Sequence, residues 1–205
     1  AFNQEYGLQF FSSDKLLLNS KDLKKLDNIK TEYQNPNLIL DEDLNYLNEY
    51  LFFHKGYLNK TVHDFKSDDS NFIFSIDTAD GIGGDYSVLN IYKVVSLPIS
   101  ELIKKKEIVK SELDTVSLVQ IGYLRSNQID INEFATACEH IIYDIFNTDQ
   151  TRIVLELNHK GDIILNRFRE NEKYWGGQIV QTKHTQAAVN FKPGLRLGPS
   201  NKIKY

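Results

Sequence analysis

The chain has no methionine in 205 residues and a single cysteine, Cys138. One cysteine excludes an internal disulfide and any multi-cysteine metal site. A reading frame opens on methionine, so its absence leads to the expectation of a piece trimmed at Ala1 and at Tyr205. No apolar run approaches the roughly 18 residues that span a bilayer. No charged n-region followed by an apolar h-region opens the chain. A cytosolic protein is expected. There is no GxxxxGK[ST] phosphate loop, no internal repeat and no low-complexity tract.

What is present is ordinary for a globular protein. Hydrophobic residues make up 41% and charged residues 25%, the usual balance for a packed domain. The length allows one good-sized domain, or one domain with an appendage. A net charge of −4 does not by itself indicate nucleic acid. Its distribution is uneven, since no Asp or Glu follows Lys173 while Lys183, Lys192, Arg196, Lys202 and Lys204 do. A basic end on an acidic body suits a phosphate-facing edge, with Lys183, Lys192, Arg196 and Lys202 as DNA contacts, or a solvated tail.

Residues 1–70 read as an N-terminal extension. Phe2–Phe11 is aromatic-rich, and Lys15–Ile29 spaces Leu16, Leu23 and Leu26 as a helix does, with Ser20 and Asp22 as starters. Asn35-Pro36-Asn37 is a turn. Leu44–Phe53 suits a helix or an irregular strand. Lys66–Ser70 is a polar hinge.

From residue 71 the pattern is stronger. Asn71–Thr78 reads as a buried strand and Tyr86–Ser96 as a second, joined in an antiparallel hairpin. Leu97–Lys110 reads as a loop or a lysine-bearing edge strand, and Asp114–Arg125 as a third strand. Asp130–Phe146 is a helix, with Asp130 as N-cap, Glu133 at the capping-box offset and one apolar face that includes Cys138. Arg152–Leu157 is a short buried strand, Asp162–Arg169 a helix, and Ile179-Val180 a last short strand. The order β-β-β-α-β-α-β predicts an α/β fold, a mixed sheet flanked by helices, as in the ribonuclease H-like fold.

Two acids stand out. Asp77 ends the first core strand, ahead of Gly81, Gly83 and Gly84, which let backbone or ligand come close. Glu156 sits in RIVLEL, an otherwise apolar strand. A carboxylate there is costly unless it faces a cation from a strand end. If the two strands are neighbours, the carboxylates converge on one site. Oxygen ligands without His or Cys clusters favour Mg²⁺ or Mn²⁺. Two such ions roughly 3.5–4 Å apart serve phosphodiester hydrolysis. The alternative is an edge carboxylate and a turn acid. Asp85 suits an auxiliary metal ligand or a turn-forming residue. Asn158 and Gly161 suit the orientation of Glu156, a close backbone approach to phosphate, or a plain strand-to-helix connection. His159 is a weaker candidate in that loop, and His184 reads as a surface residue. Trp175 reads as a packing anchor and Cys138 as core.

These motifs carry a resemblance. The run Asp77-Thr-Ala-Asp-Gly81-Ile-Gly-Gly-Asp85-Tyr86-Ser87-Val88, followed by Leu155-Glu156-Leu157-Asn158-His-Lys-Gly161, resembles the nuclease domain of the large terminase subunit of tailed, T4-like bacteriophages. Phe2-Asn-Gln-Glu5-Tyr-Gly-Leu-Gln-Phe10 looks like the segment that ends the ATPase domain in that family. The resemblance implies a ribonuclease H-like nuclease at 71–205 that cuts concatemeric double-stranded DNA with Mg²⁺ or Mn²⁺. Asp77 matches the first catalytic acid, Glu156 the second, and Asp85 a further acid near the site. The third acid would follow Tyr205. Gly194 to Lys202 loosely match a glycine- and basic-rich stretch that lies along DNA. The implied partners are the terminase ATPase domain, the small subunit and the portal protein, on the procapsid in the host cytoplasm. Two other readings stand beside it. One is an actin-like or sugar-kinase-like ATPase whose glycine turn holds phosphates. The other is a non-catalytic docking fragment of the packaging motor.

Overall fold

The computed structural model describes residues 32–36, 42–79, 83–96, 116–158, 160–182 and 192–194. The segments 2–31, Leu97–Lys110, His159, Lys183, His184, Arg196 and Lys202 lie outside the described residues. Of Lys192 only the backbone is described. The chain divides into compact units between Tyr33 and Gln34.

The described residues form a mixed α/β structure around a six-stranded mixed sheet flanked by helices. The strands are β1 (Tyr33–Gln34), β2 (Leu51–His54), β3 (Phe72–Asp77), β4 (Ser87–Ser96), β5 (Val116–Ser126) and β6 (Thr151–Leu155). Their spatial order is β1-β2-β5-β4-β3-β6. β2, β5, β4 and β3 pair antiparallel in turn, while β6 runs parallel to β3. Two further short strands, β7 (Gln181–Thr182) and β8 (Lys192–Pro193), pair antiparallel. The three helices are α1 (Val62–Lys66), α2 (Ile131–His140) and α3 (Gly161–Glu170). Among the described residues, no helix is long and apolar enough to cross a membrane.

The period-two pattern of each strand decides its faces. In β3, Phe72, Phe74 and Ile76 are buried, while Ile73 and Ser75 are half-buried and Asp77 is exposed. In β6, Thr151, Ile153 and Leu155 are buried, between exposed Arg152 and half-buried Val154. Leu89 and Ile91 of β4 and Leu51 and Phe53 of β2 join the same core. Leu44–Phe53 turns out to hold both expected elements, a 3-10 helix at Glu42–Glu49 and then β2. β2 pairs with β5 through Leu51–Leu124 and Phe53–Gly122. The sheet therefore begins upstream of Lys66–Ser70.

The helices supply the other half of the core. Asp130 caps α2: its Oδ1 accepts from the backbone N–H of Asn132 at 2.7 Å and of Glu133 at 3.0 Å, and Glu133 accepts from Asp130 N–H at 3.3 Å. This is the capping box read from the sequence. The helix then widens into a π segment, Ile141–Ile145, so the expected single helix to Phe146 has two parts. Burial pushes the Cys138 thiol up, as for an inert core cysteine. Phe146 is the hub of the aromatic packing. Its ring centroid lies 4.7 Å from that of Phe65, 4.9 Å from Phe72 and 5.1 Å from Phe74. Glu139 on α2 accepts from Arg167 Nε and from Asn171 Nδ2, which joins α2 to α3 and its exit.

Past α3 the chain returns along β6. Ile153 donates to Gln178 O and accepts from Val180 N–H, both at 2.8 Å, which makes a parallel bridge between Ile153 and Ile179. Buried Gln178 accepts from Tyr143 Oη at 3.0 Å and donates to Thr151 Oγ1 at 2.6 Å. Trp175 is half-buried. A Cβ on Gly177 would lie 2.3 Å from its ring, and the Arg152 guanidinium stands 4.7 Å from the ring centroid.

Two surface carboxylates tie the stability to acid. Burial pushes Asp68 up, but hydrogen bonds from Lys93, at 2.6 Å, and Ser70 outweigh it and hold the group below 3.8. Burial likewise acts on Asp144, and Lys173 and His140, each at 2.7 Å, hold it below 3.8. A carboxyl depressed in the folded state stabilises the fold above its unfolded pKa, and that contribution is lost as pH falls through the folded value. The urea midpoint is therefore expected to be level above about pH 5 and to fall below about pH 4. Asp144→Asn should blunt the fall. A midpoint that does not move across this range would refute the assignment.

Candidate functional site

The site begins at the carboxyl ends of the two parallel strands. The β3–β6 register runs from Phe72–Thr151 to Ile76–Leu155. The next pair in that register is Asp77 and Glu156. Glu156 N–H donates to Ile76 O at 3.0 Å, a hydrogen bond of the Ile76–Leu155 pair that the two acids directly follow. Their α-carbons are therefore one strand spacing apart, about 4.8 Å. Ile76 and Leu155 point into the core, so Asp77 and Glu156 both point to the opposite face. Sequence separation hides this neighbourhood, and the parallel register creates it. In open sheets, ligands gather outside the carboxyl ends of strands.

The loop after β6 shapes Glu156. Asn158 Nδ2 donates to Glu156 Oε1 at 2.6 Å. An Asn at this position holds the carboxylate by a charge-assisted hydrogen bond. It does not cap α3, whose N-cap is Lys160, with no side-chain cap bond. Gly161 then passes directly over the strand end. A Cβ there would lie 2.0 Å from the Glu156 carbonyl oxygen, so only glycine allows the helix to start so close to the acid.

The loop after β3 is tied in two directions. Buried Thr78 donates from Oγ1 to Asn158 O at 3.4 Å, linking the two loops that follow the acids. Ala79 N–H donates to Ser87 Oγ at 3.0 Å, across the base of the glycine turn. Gly83 takes φ +83°, a backbone region that strains a side chain at that position, and its N–H donates to Asn127 O at 2.8 Å. The turn is thereby fastened to the β5–α2 corner. Thr78 and Ser87 escape sequence reading. Each is an ordinary small hydroxyl residue, and its partner is distant in the chain or lies across an unread turn.

Asp85 is exposed in the bend before β4. Among the described residues, no three His, Cys, Asp or Glu side chains come together as a metal site. Gly194 takes φ +78°, and a Cβ on it would lie 2.5 Å from Leu157 Cγ. The backbone at 192–194 therefore runs against the segment that carries Glu156. No protein-family model matches the chain, and no curated protein is similar to it in sequence.

Proposed function

We propose that this chain is the metal-dependent endonuclease domain of a viral DNA-packaging terminase, hydrolysing phosphodiester bonds of concatemeric double-stranded DNA. One observation carries the reading: Asp77 and Glu156 are register neighbours on one face, at the carboxyl ends of parallel strands. The strand order supports a ribonuclease H-like fold. Counted from β3, the first three core strands are antiparallel neighbours, the fourth lies parallel beside the first, and Ile179 continues the sheet beyond it.

The donor set suits Mg²⁺ or Mn²⁺. Magnesium keeps several waters and is commonly held by one or two carboxylates plus substrate phosphates, and the two acids supply oxygen alone. Such ions would activate water and offset charge on the leaving oxygen. The protein's own part is positional. Asp77 and Glu156 hold the cation, and Asn158 fixes one oxygen of Glu156. Gly161 keeps the loop tight against the strand, and the Thr78 bond stops the two loops from separating. The family's ATPase domain, small subunit and portal are the partners on this reading, and the procapsid in the host cytoplasm is the place of action.

A Mn²⁺ titration of the purified chain tests the site. Asp77→Asn and Glu156→Gln are each expected to weaken Mn²⁺ binding by at least about tenfold. Unchanged affinity in both variants would remove the metal site. Tight ATP binding without divalent-dependent DNA cleavage would favour a phosphate-binding ATPase instead.

A further inference from the structure

The row of the sheet that holds the acid pair does not stop at β3. Asp77 pairs with Val88 on β4, and Val88 pairs with Arg125 on β5. Directly paired residues share a face, so Glu156, Asp77, Val88 and Arg125 form one line across four strands, all on the face away from the helices. Arg125 lies two strand spacings from Asp77, about 10 Å. Its N–H donates to Tyr50 O at 3.1 Å, which carries the row to the residue before β2.

Arg125 is exposed, and its guanidinium carbon stands over the Tyr86 ring, 3.7 Å from the centroid. Stacking on a ring leaves the five N–H donors in the plane of the fork, where they suit a phosphate. Tyr86 also follows Asp85 and the glycine turn, so the shelf is continuous with the loop beside the acids. Two residues along the strands, on the same face, Phe52 and Tyr123 stack with centroids 5.1 Å apart and planes 19° apart. Tyr50, Phe52, Tyr86, Tyr123 and Arg125 line a cavity of about 310 Å³, together with Glu49 and the polar run Ser126–Gln128. That is about the lower size of pockets that hold small ligands. Aromatic walls with an arginine are the chemistry of single-strand recognition, in which rings take bases and the cation takes the backbone.

We infer that this shelf is a nucleotide subsite for an unpaired strand. Arg125, oriented by Tyr86, binds a phosphate, and the cavity beside it takes a base, two strands away from the acid pair. The inference rests on the nuclease reading for its account of why the acids and the shelf share a row.

The test is binding of a fluorescein-labelled oligothymidine to the intact chain in EDTA, so that cleavage plays no part. Arg125→Gln is expected to weaken binding about tenfold and to lower the slope of log affinity against log salt by about one. Arg125→Lys should keep the slope and lose part of the affinity. Tyr86→Leu should weaken binding in the wild type and add nothing to Arg125→Gln, because it acts through that side chain. Unchanged affinity and slope in Arg125→Gln, in a variant whose urea midpoint is unaltered, overturns the subsite and leaves the acid pair untouched. Equal Arg125-dependent binding of a fully paired duplex overturns the unpaired-strand assignment. Retained Arg125-dependent binding supports the subsite, even where Asp77→Asn cleaves normally and the nuclease reading has failed.

Discussion

Asp77→Asn is expected to reduce divalent-dependent cleavage of supercoiled plasmid by about a thousandfold. The substitution keeps the shape of the side chain and removes its charge. A cation that stabilises charge in the transition state is worth several kcal/mol, and about 4 kcal/mol corresponds to about a thousandfold in rate. Stability should change by no more than about 0.5 kcal/mol, because Asp77 is exposed at a strand end. Glu156→Gln should give a similar loss of rate. Its partner Asn158 loses a charged acceptor, so the amide contact weakens as well. The two losses should not add, because both variants disable one site. Cleavage at the wild-type rate by Asp77→Asn would end the two-acid reading, whatever the Mn²⁺ affinity.

Phe146→Ala is expected to be the most damaging single core change. Phe146 is 1% exposed and contacts aromatic rings from α1 and from two positions of β3. Truncating a buried Phe costs about 3–5 kcal/mol through lost transfer energy and the cavity left behind. With a urea m-value of about 2 kcal/mol/M, the midpoint should fall by about 2 M. Phe146→Leu should recover part of the loss by filling the cavity. A fall below about 0.5 M in the alanine variant would show that the hub is elsewhere. The consequence reaches the site, because Phe72 and Phe74 are the inner side chains of the strand that ends in Asp77. Loosening their packing loosens the strand end that holds the first acid.

Much of this arrangement is legible in local pattern. The alternation in FIFSID and RIVLEL states which side chains go inward, and burial enforces it residue by residue. Asp130 and Glu133 announce the start of α2 because capping is a matter of a few adjacent residues. Gly161 signals a close approach without saying to what. Other features required the folded chain. Nothing in Leu51–His54 marks it as a partner of β5, since its apolar run serves a helix or a strand equally well. Nor does Arg125 differ in sequence from any strand-end arginine until its row and its ring partner are known.

The sequence alone therefore determined the elements, their inner faces and the two acids as chemistry in search of a partner. Tertiary structure decided the register. Asp77 and Glu156 lie seventy-nine positions apart, and only the parallel pairing of β3 with β6 makes them neighbours. The same pairing rules extend their row through Val88 to Arg125. The physical reason is that periodicity is a local property, whereas register follows from burying the apolar faces of distant strands against one shared set of helices. A slip of one residue would turn every side chain, both acids included, to the wrong face.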